Sequence, residues 1–392
     1  MQIFKRSLKI VGWFLAIVVL LIGVYVIYVV ANYYRIEDNV LIDVKNNPTQ
    51  TIQLDQPYTA ITYNLGFGAY DPEFSFFMDQ ALLREEVAGV GQSGQTIVGV
   101  NSTASNEATV SQLTSGAIET TGSVLATDVS LSNDSVDETL TLAWETAQPG
   151  FVLFQEIDIS ANRSYRVNQV EAVQNYYDEY ASIYSSNFHT VWLQYPPFNP
   201  IGDIESGLLS VSPFHISSAT RRSLPVSDAF PTKFFDLDRC FQVLRMPVQG
   251  SQFELILVNA HLSAYDQKGE FKKQQMQILA DLMREEAQSG NYVIVGGDFN
   301  NAFAGSLTNF QNAEEIPDWI IELDESVLPS GYRAVNPSNS DKIASVRDSS
   351  FRYIQGSNYE TITDGWLISD NVQANAEVVD TSYRYSDHNP VK

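Results

Sequence analysis

Val295-Gly296-Gly297-Asp298-Phe299-Asn300 is the stretch on which the reading of this chain turns. It closes an apolar run, Tyr292–Val295, with two glycines and then an acid and an amide one residue apart. In an extended segment Asp298 and Asn300 point the same way. The glycines let another backbone, or a phosphate, come close. A simple Asx turn accounts for the polar pair alone. A site at the end of a buried strand accounts for the pair and the glycines together.

The flanking sequence supports the strand. Just upstream, Gln267–Gln288 carries Phe271, Ile278, Leu279, Leu282 and Met283 on one side, the spacing of a helix with one buried face. Gly290 stands just past its end as a cap. Further strand-like runs are Tyr58–Leu65, Phe151–Gln155, Gly207–Val211, Phe253–Asn259 and Asp364–Ile368. Several are too apolar to alternate, as strands buried on both faces are. A second helix is expected over Asn168–Tyr184. Strands alternating with helices, plus hairpin-like pairs, give an α/β sandwich.

Most of the other strand ends carry the same kind of punctuation. Tyr63-Asn64-Leu65-Gly66 reads as a turn on its own. Phe151-Val-Leu-Phe-Gln155-Glu156 ends a buried run on a carboxylate, which is costly unless it lies on the surface or meets a cation. His261 in Asn259-Ala260-His261-Leu262 reads alone as a core histidine with its hydrogen bonds made. Asp364-Gly365 reads alone as a hairpin turn. Asp387-His388 in Ser386-Asp387-His388-Asn389-Pro390-Val391 can share one pocket if the segment is a loop. The chain has 4 histidines, and two of them fall in these stretches.

Taken in order, Asn64, Gln155-Glu156, His261-Leu262, Gly297-Asp298-Phe299-Asn300, Asp364 and Ser386-Asp387-His388-x-Pro-Val resemble the endonuclease/exonuclease/phosphatase superfamily over residues 58–391. The resemblance implies a four-layered α/β sandwich, two packed mixed sheets flanked by helices, with the site at one end of the sheets. It implies a phosphoric ester hydrolase using Mg²⁺, with Mn²⁺ as an alternative. By likeness, Glu156 binds the metal, with Asn64 and Asp387 near it. Asp298 positions or deprotonates the attacking water. Asn64, Asn300 and His261 contact phosphate oxygens. His388 stabilises charge on phosphorus or acts as acid/base, and Asp364 orients it. Gly365 stands where many members carry a bulkier residue. Few residues follow the last motif, so the final strand is expected to be short. The Trp-Cys-Asp-Arg pattern of inositol polyphosphate 5-phosphatases is absent, which argues against that branch.

Composition narrows the surroundings. Lys plus Arg number 23 and Asp plus Glu 47, a net charge of −24. Such a surface repels polyanions at long range, which weighs against processive nucleic-acid binding without excluding a local basic patch. The single Cys240 permits no internal disulfide and sits among apolar neighbours, as a small buried hydrophobe would.

Ile10–Ala31 contains no charged residue. At about 1.5 Å per residue it matches the roughly 30 Å of a bilayer's hydrocarbon core. Lys5, Arg6 and Lys9 precede it, and Trp13, Tyr33 and Tyr34 suit the two interfaces. The basic flank is expected to stay cytoplasmic, leaving the rest outside. The run is too long for the apolar core of a cleaved signal peptide. A tail (1–9), a transmembrane anchor (10–31), a stalk (32–57) and a catalytic domain (58–392) follow from this reading, on a bacterial surface protein. Ala88–Ala143, with no aromatic, Lys, Arg or Pro, reads as a surface insertion, partly disordered, or as a weak helix within Glu107–Ile118 plus a loop.

The expected partners are a phosphate-ester substrate, either nucleic acid or phospholipid head group, and the membrane; no protein partner is inferred. Phe74-Ser-Phe-Phe77 and Tyr195-Pro-Pro-Phe198 are candidates to engage lipid, or else pack as core and rim. Arg221, Arg222 and Arg239 are candidate phosphate contacts. The rival reading from another class is a catalytically inactive binding or scaffold protein on the same fold.

Overall fold

The computed structural model describes residues 2–76, 80–82, 96–98, 107–126, 148–195, 200–264, 266, 269–303 and 305–392. A helix, Gln2–Ala31, opens the chain, and its segment Arg6–Ala31 is long and apolar enough to cross a membrane. Strands β1 (Val40–Leu41), β2 (Ile52–Gln53) and β3 (Tyr58–Asn64) follow. A short pair, β4 (Gln80–Leu82) and β5 (Thr96–Val98), precedes helix Glu107–Ala126. Then come β6 (Gln148–Ala161), helix Gln169–Tyr176, β7 (Ala181–Leu193), β8 (Gly202–Ser212), β9 (Ser218–Ser223), β10 (Cys240–Gln249) and β11 (Glu254–His261). Helix Glu270–Gln288 leads into β12 (Tyr292–Asp298). The last strands are β13 (Tyr332–Val335), β14 (Val346–Arg347), β15 (Glu360–Thr361) and β16 (Asp364–Ser369).

Two mixed sheets pack face to face. One runs β3-β6-β8-β7, and the other β1-β9-β10-β11-β12-β16-β13, with β2 added on β10. The parallel pairs β3/β6 and β11/β12 sit inside these otherwise mainly antiparallel sheets. Alternate residues of β6 divide the core. Phe151 and Leu153 meet Leu244, Leu257 and Trp366 of the facing sheet, whereas Val152 and Phe154 meet Ile118, Val170 and Val173 of the helices behind. On the far side, Leu279, Leu282 and Met283 of helix Glu270–Gln288 cover Ile256, Val258, Val293 and Val295. The order helix, sheet, sheet, helix is the four-layered sandwich expected, and both faces of the central strands are apolar because both are covered.

A chain of buried amides crosses between the sheets just behind their site end. Gln155 donates to Asn259 Oδ1 (2.8 Å), Asn259 donates to Ser210 Oγ (3.1 Å), and Ser210 donates to Gln242 Oε1 (2.6 Å). Polar groups sealed from water must find such partners, so this chain fixes how the two sheets face each other.

Several expectations are corrected. The helix expected over Asn168–Tyr184 ends at Tyr176, and β7 takes over from Ala181 because Ala181 and Ile183 fill the inter-sheet core. Residues 32–57 are not a free stalk. Val40–Leu41 pairs with β9 and Ile52–Gln53 with β10, so the segment is laid along a sheet edge. Much of the 88–143 insertion lies outside the described residues. Its helix runs from Glu107 to Ala126, beyond Ile118, and buries Val110, Ala117 and Ile118. That helix is therefore part of an outer layer, not a surface appendage. The strand expected over Asp364–Ile368 is present as β16, so Asp364-Gly365 turns no hairpin: β16 pairs with β12 on one side and β13 on the other.

The two glycines of the deciding stretch make room for protein rather than for phosphate. A Cβ on Gly297 (φ +153°) would lie 1.9 Å from the carbonyl oxygen of Ala260, and one on Gly296 would lie 2.3 Å from the Trp366 ring. Cys240 is fully buried, and burial pushes its thiol up to about 11, which leaves it inert.

Candidate active site

Strand register assembles the centre of the site. His261 is the pairing partner of Asp298 across β11/β12, and Asp298 is that of Asp364 across β12/β16. In the facing sheet Asn64 pairs with Gln155, next to Glu156. The loop holding Asp387 and His388 is pinned to β3 and β14. Val391 bridges to Thr62, Val346 bridges to His388, and Ser386 donates to the Asn64 carbonyl (2.8 Å).

The structure brings Asn64, Glu156, His261, Asp298, Asn300, Asp364, Asp387 and His388 together. Asn64 Nδ2 donates to Asp298 Oδ2 (3.1 Å), and so does Asn300 Nδ2 (3.1 Å). Asp298 Oδ1 accepts from the Asn300 N–H (2.9 Å). His261 Nε2 lies 3.6 Å from Asp298 Oδ2 and 3.7 Å from Glu156 Oε1. His388 Nε2 lies 3.9 Å from Asp298 Oδ2, and its Nδ1 is 2.8 Å from Asp364 Oδ2. Ser345 Oγ also donates to Asp364 Oδ2 (2.7 Å), so that carboxylate is fixed from two sides.

Three local geometries differ from the sequence-based expectation. Glu156 does not end its strand. It sits on a bulge of β6, between Phe154 and Ile157, with φ +49°, and the strand continues to Ala161. A bulge re-aims a side chain without ending the ladder, which turns Glu156 toward the cleft. Asn300 is not extended. Its φ of +51° folds it back on Asp298, so the two share a pocket through a turn rather than by strand alternation. Asn64, only 1% exposed, has its Oδ1 taken by the Gly66 N–H (3.0 Å) and its Nδ2 given to Asp298, so it serves Asp298 rather than the cleft. Apart from these, a Cβ on Gly365 would lie 2.7 Å from the Phe303 ring, which occupies that space.

The electrostatics separate the titrating groups. Burial works against charge on His388, but the Asp364 carboxylate outweighs it and holds the imidazole up to about 10, so it is a cation near neutrality. Burial, with the cations Arg239 and His388 nearby, keeps His261 well below its usual range and therefore neutral. Burial and the neighbouring Asp364 raise Asp298. Burial lifts Asp387 to about 6; the charge of Glu156 adds to this, while His388 and Arg347 oppose it.

Glu156, His261, Asp298, Asn300, Asp387 and His388 open on one cleft of about 1420 Å³. Two groupings in it bear on a cation. Asp298, Asp364 and His388 present ligand atoms within 4.8 Å of one another, but His388 and Asp364 are already hydrogen-bonded to each other. Glu156 and Asp387 both open on the cleft with oxygen donors only, and the charge of Glu156 adds to what raises Asp387. That is the chemistry a hard divalent cation relieves, and the pair fits one.

Arg163, Arg239 and Arg347 also line the cleft. Of the three arginines marked in the sequence only Arg239 does so. Arg221 is buried against the carbonyls of Ser186 and Asp238, and Arg222 pairs with Asp38. Arg163 pairs with Asp158 (2.9 Å) and lies over the Phe67 ring (3.7 Å). Nothing in the sequence singles out Arg163 or Arg347, because isolated arginines carry no positional signal.

Lys272 is the other residue that sequence reading missed. It is 1% exposed, and its ammonium donates to the carbonyls of Asn300 (2.8 Å) and Trp319 (2.6 Å). It thus ties the Asp298–Asn300 turn to the cleft wall at Trp319. Lys272→Met is expected to destabilise the fold by about 2–5 kcal/mol, since it leaves two buried carbonyls unsatisfied. Urea unfolding measures this; a loss near zero would mean that water or a rearranged neighbour replaces the ammonium.

No family model matches this chain, and no curated protein matches it. Among solved structures it is similar to an endonuclease/exonuclease/phosphatase protein from Beutenbergia cavernae, at 12% identity and TM-score 0.47, covering 85% of this chain and 69% of that one. It is similar to truncated TDP2 from Caenorhabditis elegans, at 15% identity and TM-score 0.38, covering 62% of this chain and 83% of that one. It is also similar to a beta toxin variant from Staphylococcus aureus with bound magnesium ions, at 16% identity and TM-score 0.37, covering 62% of this chain and 84% of that one. At such identities and TM-scores the chemistry of the site is read from its own geometry.

Proposed function

We propose that this chain is a divalent-metal-dependent phosphoesterase, held to a membrane by its first helix with the catalytic domain outside the cell, that hydrolyses phosphodiester or phosphomonoester bonds by in-line attack of water. The observation that carries this reading is the arrangement around Asp298. A buried carboxylate is oriented by two amides, beside one neutral and one cationic imidazole, with two further carboxylates opening on the same cleft.

Each residue then has a task. Asp298, oriented by Asn64 and Asn300 and raised by burial, takes a proton from the attacking water. His388, kept cationic by Asp364, places its Nε2–H on an oxygen of phosphorus where negative charge develops. His261, neutral, donates a further hydrogen bond, and Arg239 adds positive charge on the same wall. Glu156 and Asp387 would hold the cation, Mg²⁺ or Mn²⁺. When bound it would neutralise phosphate charge and stabilise the leaving oxygen. No covalent nucleophile is required.

Turnover of bis-p-nitrophenyl phosphate by the purified full chain is expected with Mg²⁺ or Mn²⁺, to be lost in EDTA and restored by excess metal. Absence of turnover with either ion, together with no metal uptake by calorimetry, would favour an inactive scaffold.

A further inference from the structure

We infer that the rim of the cleft nearest the apolar helix is a bilayer-docking surface, so that the site takes its substrate from the membrane as a phospholipid or sphingolipid head group. The inference rests on the phosphoesterase reading above for its chemistry and on the contacts of helix Gln2–Ala31 for its geometry.

The helix does not dangle from the domain. Tyr25 OH, inside the apolar run, donates to the Trp192 carbonyl (3.0 Å) and accepts from the Gln194 N–H (3.4 Å). Just past the helix, the Tyr33 ring meets Phe234 edge-on (4.9 Å). Arg35 donates to the carbonyls of Ser227 (3.3 Å) and Leu237 (3.4 Å) and pairs with Asp238. The same two segments wall the cleft. Leu193 and Tyr195 line it from the end of β7, and Ser227, Pro231, Phe235 and Leu237 line it from the connection before β10.

Depth follows from helix geometry. At about 1.5 Å per residue, Tyr25 lies roughly 9 Å inside the end of the apolar run at Ala31. The head-group layer on each side of a bilayer is about 5–8 Å thick. A segment bonded to Tyr25 therefore sits at or below head-group level, and the cleft wall beside it is at the same depth. The exposed side chains on this side match that environment. Phe230 is 73% exposed, Tyr34 56% and Tyr195 49%. Tyrosines, with one apolar and one wet end, favour this layer, and an exposed phenylalanine ring gains there by leaving water.

The charge balance points the same way. At −24 the chain has no long-range attraction for a polyanion, whereas a substrate in the same bilayer is supplied by tethering. In the reaction water adds its oxygen to phosphorus. The P–O bond to the glycerol or ceramide oxygen breaks, and that oxygen takes up a proton. The phosphorylated head group leaves into water, and the diacylglycerol or ceramide stays behind.

The test uses the full chain reconstituted into phosphatidylcholine–sphingomyelin vesicles with Mg²⁺, assayed for phosphocholine release beside bis-p-nitrophenyl phosphate and plasmid DNA. Phosphocholine release is expected. Phe230→Ser is expected to lower it about tenfold, as loss of one buried aromatic anchor would, and to leave bis-p-nitrophenyl phosphate turnover unchanged. Independently of catalysis, Phe230→Trp in vesicles containing brominated lipid is expected to show quenching beyond that of the unmodified chain. Turnover of bis-p-nitrophenyl phosphate with no phosphocholine release, cleavage of DNA in place of lipid, or no added quenching would overturn the docking inference and leave the phosphoesterase reading standing. No turnover of any substrate, with quenching present, would overturn the phosphoesterase reading and retain the docking surface.

Discussion

Asp298→Asn is expected to lower kcat on bis-p-nitrophenyl phosphate by about 10²–10⁴-fold, the usual contribution of a positioned general base. The substitution keeps size and shape. Its amide oxygen can still accept from the Asn64 and Asn300 side-chain amides that hold Asp298 at 3.1 Å, while its NH2 then faces the Asn300 N–H, at the cost of one hydrogen bond. What it removes is the ability to take a proton. Asp298 is only 1% exposed, and burial together with Asp364 raises its affinity for a proton. A folded variant with a modestly lowered melting temperature and a collapsed kcat is the expected pair of results. A variant with near-full rate would remove Asp298 from the role of base and leave it a structural carboxylate.

The second large effect concerns His388. Truncation to alanine is expected to lower kcat by about 10²–10³-fold, as loss of one preorganised donor to a developing charge does. The partner substitution Asp364→Asn gives a more selective readout. His388 is held up to about 10 by the Asp364 carboxylate 2.8 Å away, so it is charged from neutral pH to well above it and loses its proton as pH rises through that value. With the carboxylate gone, burial acts unopposed by its largest counterweight, and the imidazole pKa falls. The alkaline limb of the kcat–pH profile should therefore move to lower pH in Asp364→Asn. A limb that stays in place would mean that a different group governs it.

The site was legible in the sequence to the extent that its residues end apolar runs. Asp298 stood out by itself, with its two glycines and Asn300, whereas His261 and Asp364 read alone as a core histidine and a turn and became candidates only as members of an ordered set. Their mutual registration could not be found. That His261 faces Asp298 and Asp298 faces Asp364 depends on β12 lying between β11 and β16, and strand order is a property of pairing among segments far apart in the chain. The position of Glu156 was visible but its geometry was not, since no local signal marks the bulge that lifts it out of the ladder. Lys272 stayed hidden because its role is to satisfy two carbonyls that only meet after folding.

By itself the sequence determined the layered α/β architecture, through strands apolar on both faces, and the apolar first helix, through an uncharged run of membrane length. It also supplied the acids, amides and imidazoles of the candidate site, because residue type sets charge, donors and proton affinity. Only the tertiary structure decided how they work together. It placed Asn64 behind Asp298, Asp364 beneath His388, and the cleft wall against the end of the apolar helix. Those relations depend on distances of a few ångströms between residues hundreds of positions apart, and no periodicity along a chain encodes such distances.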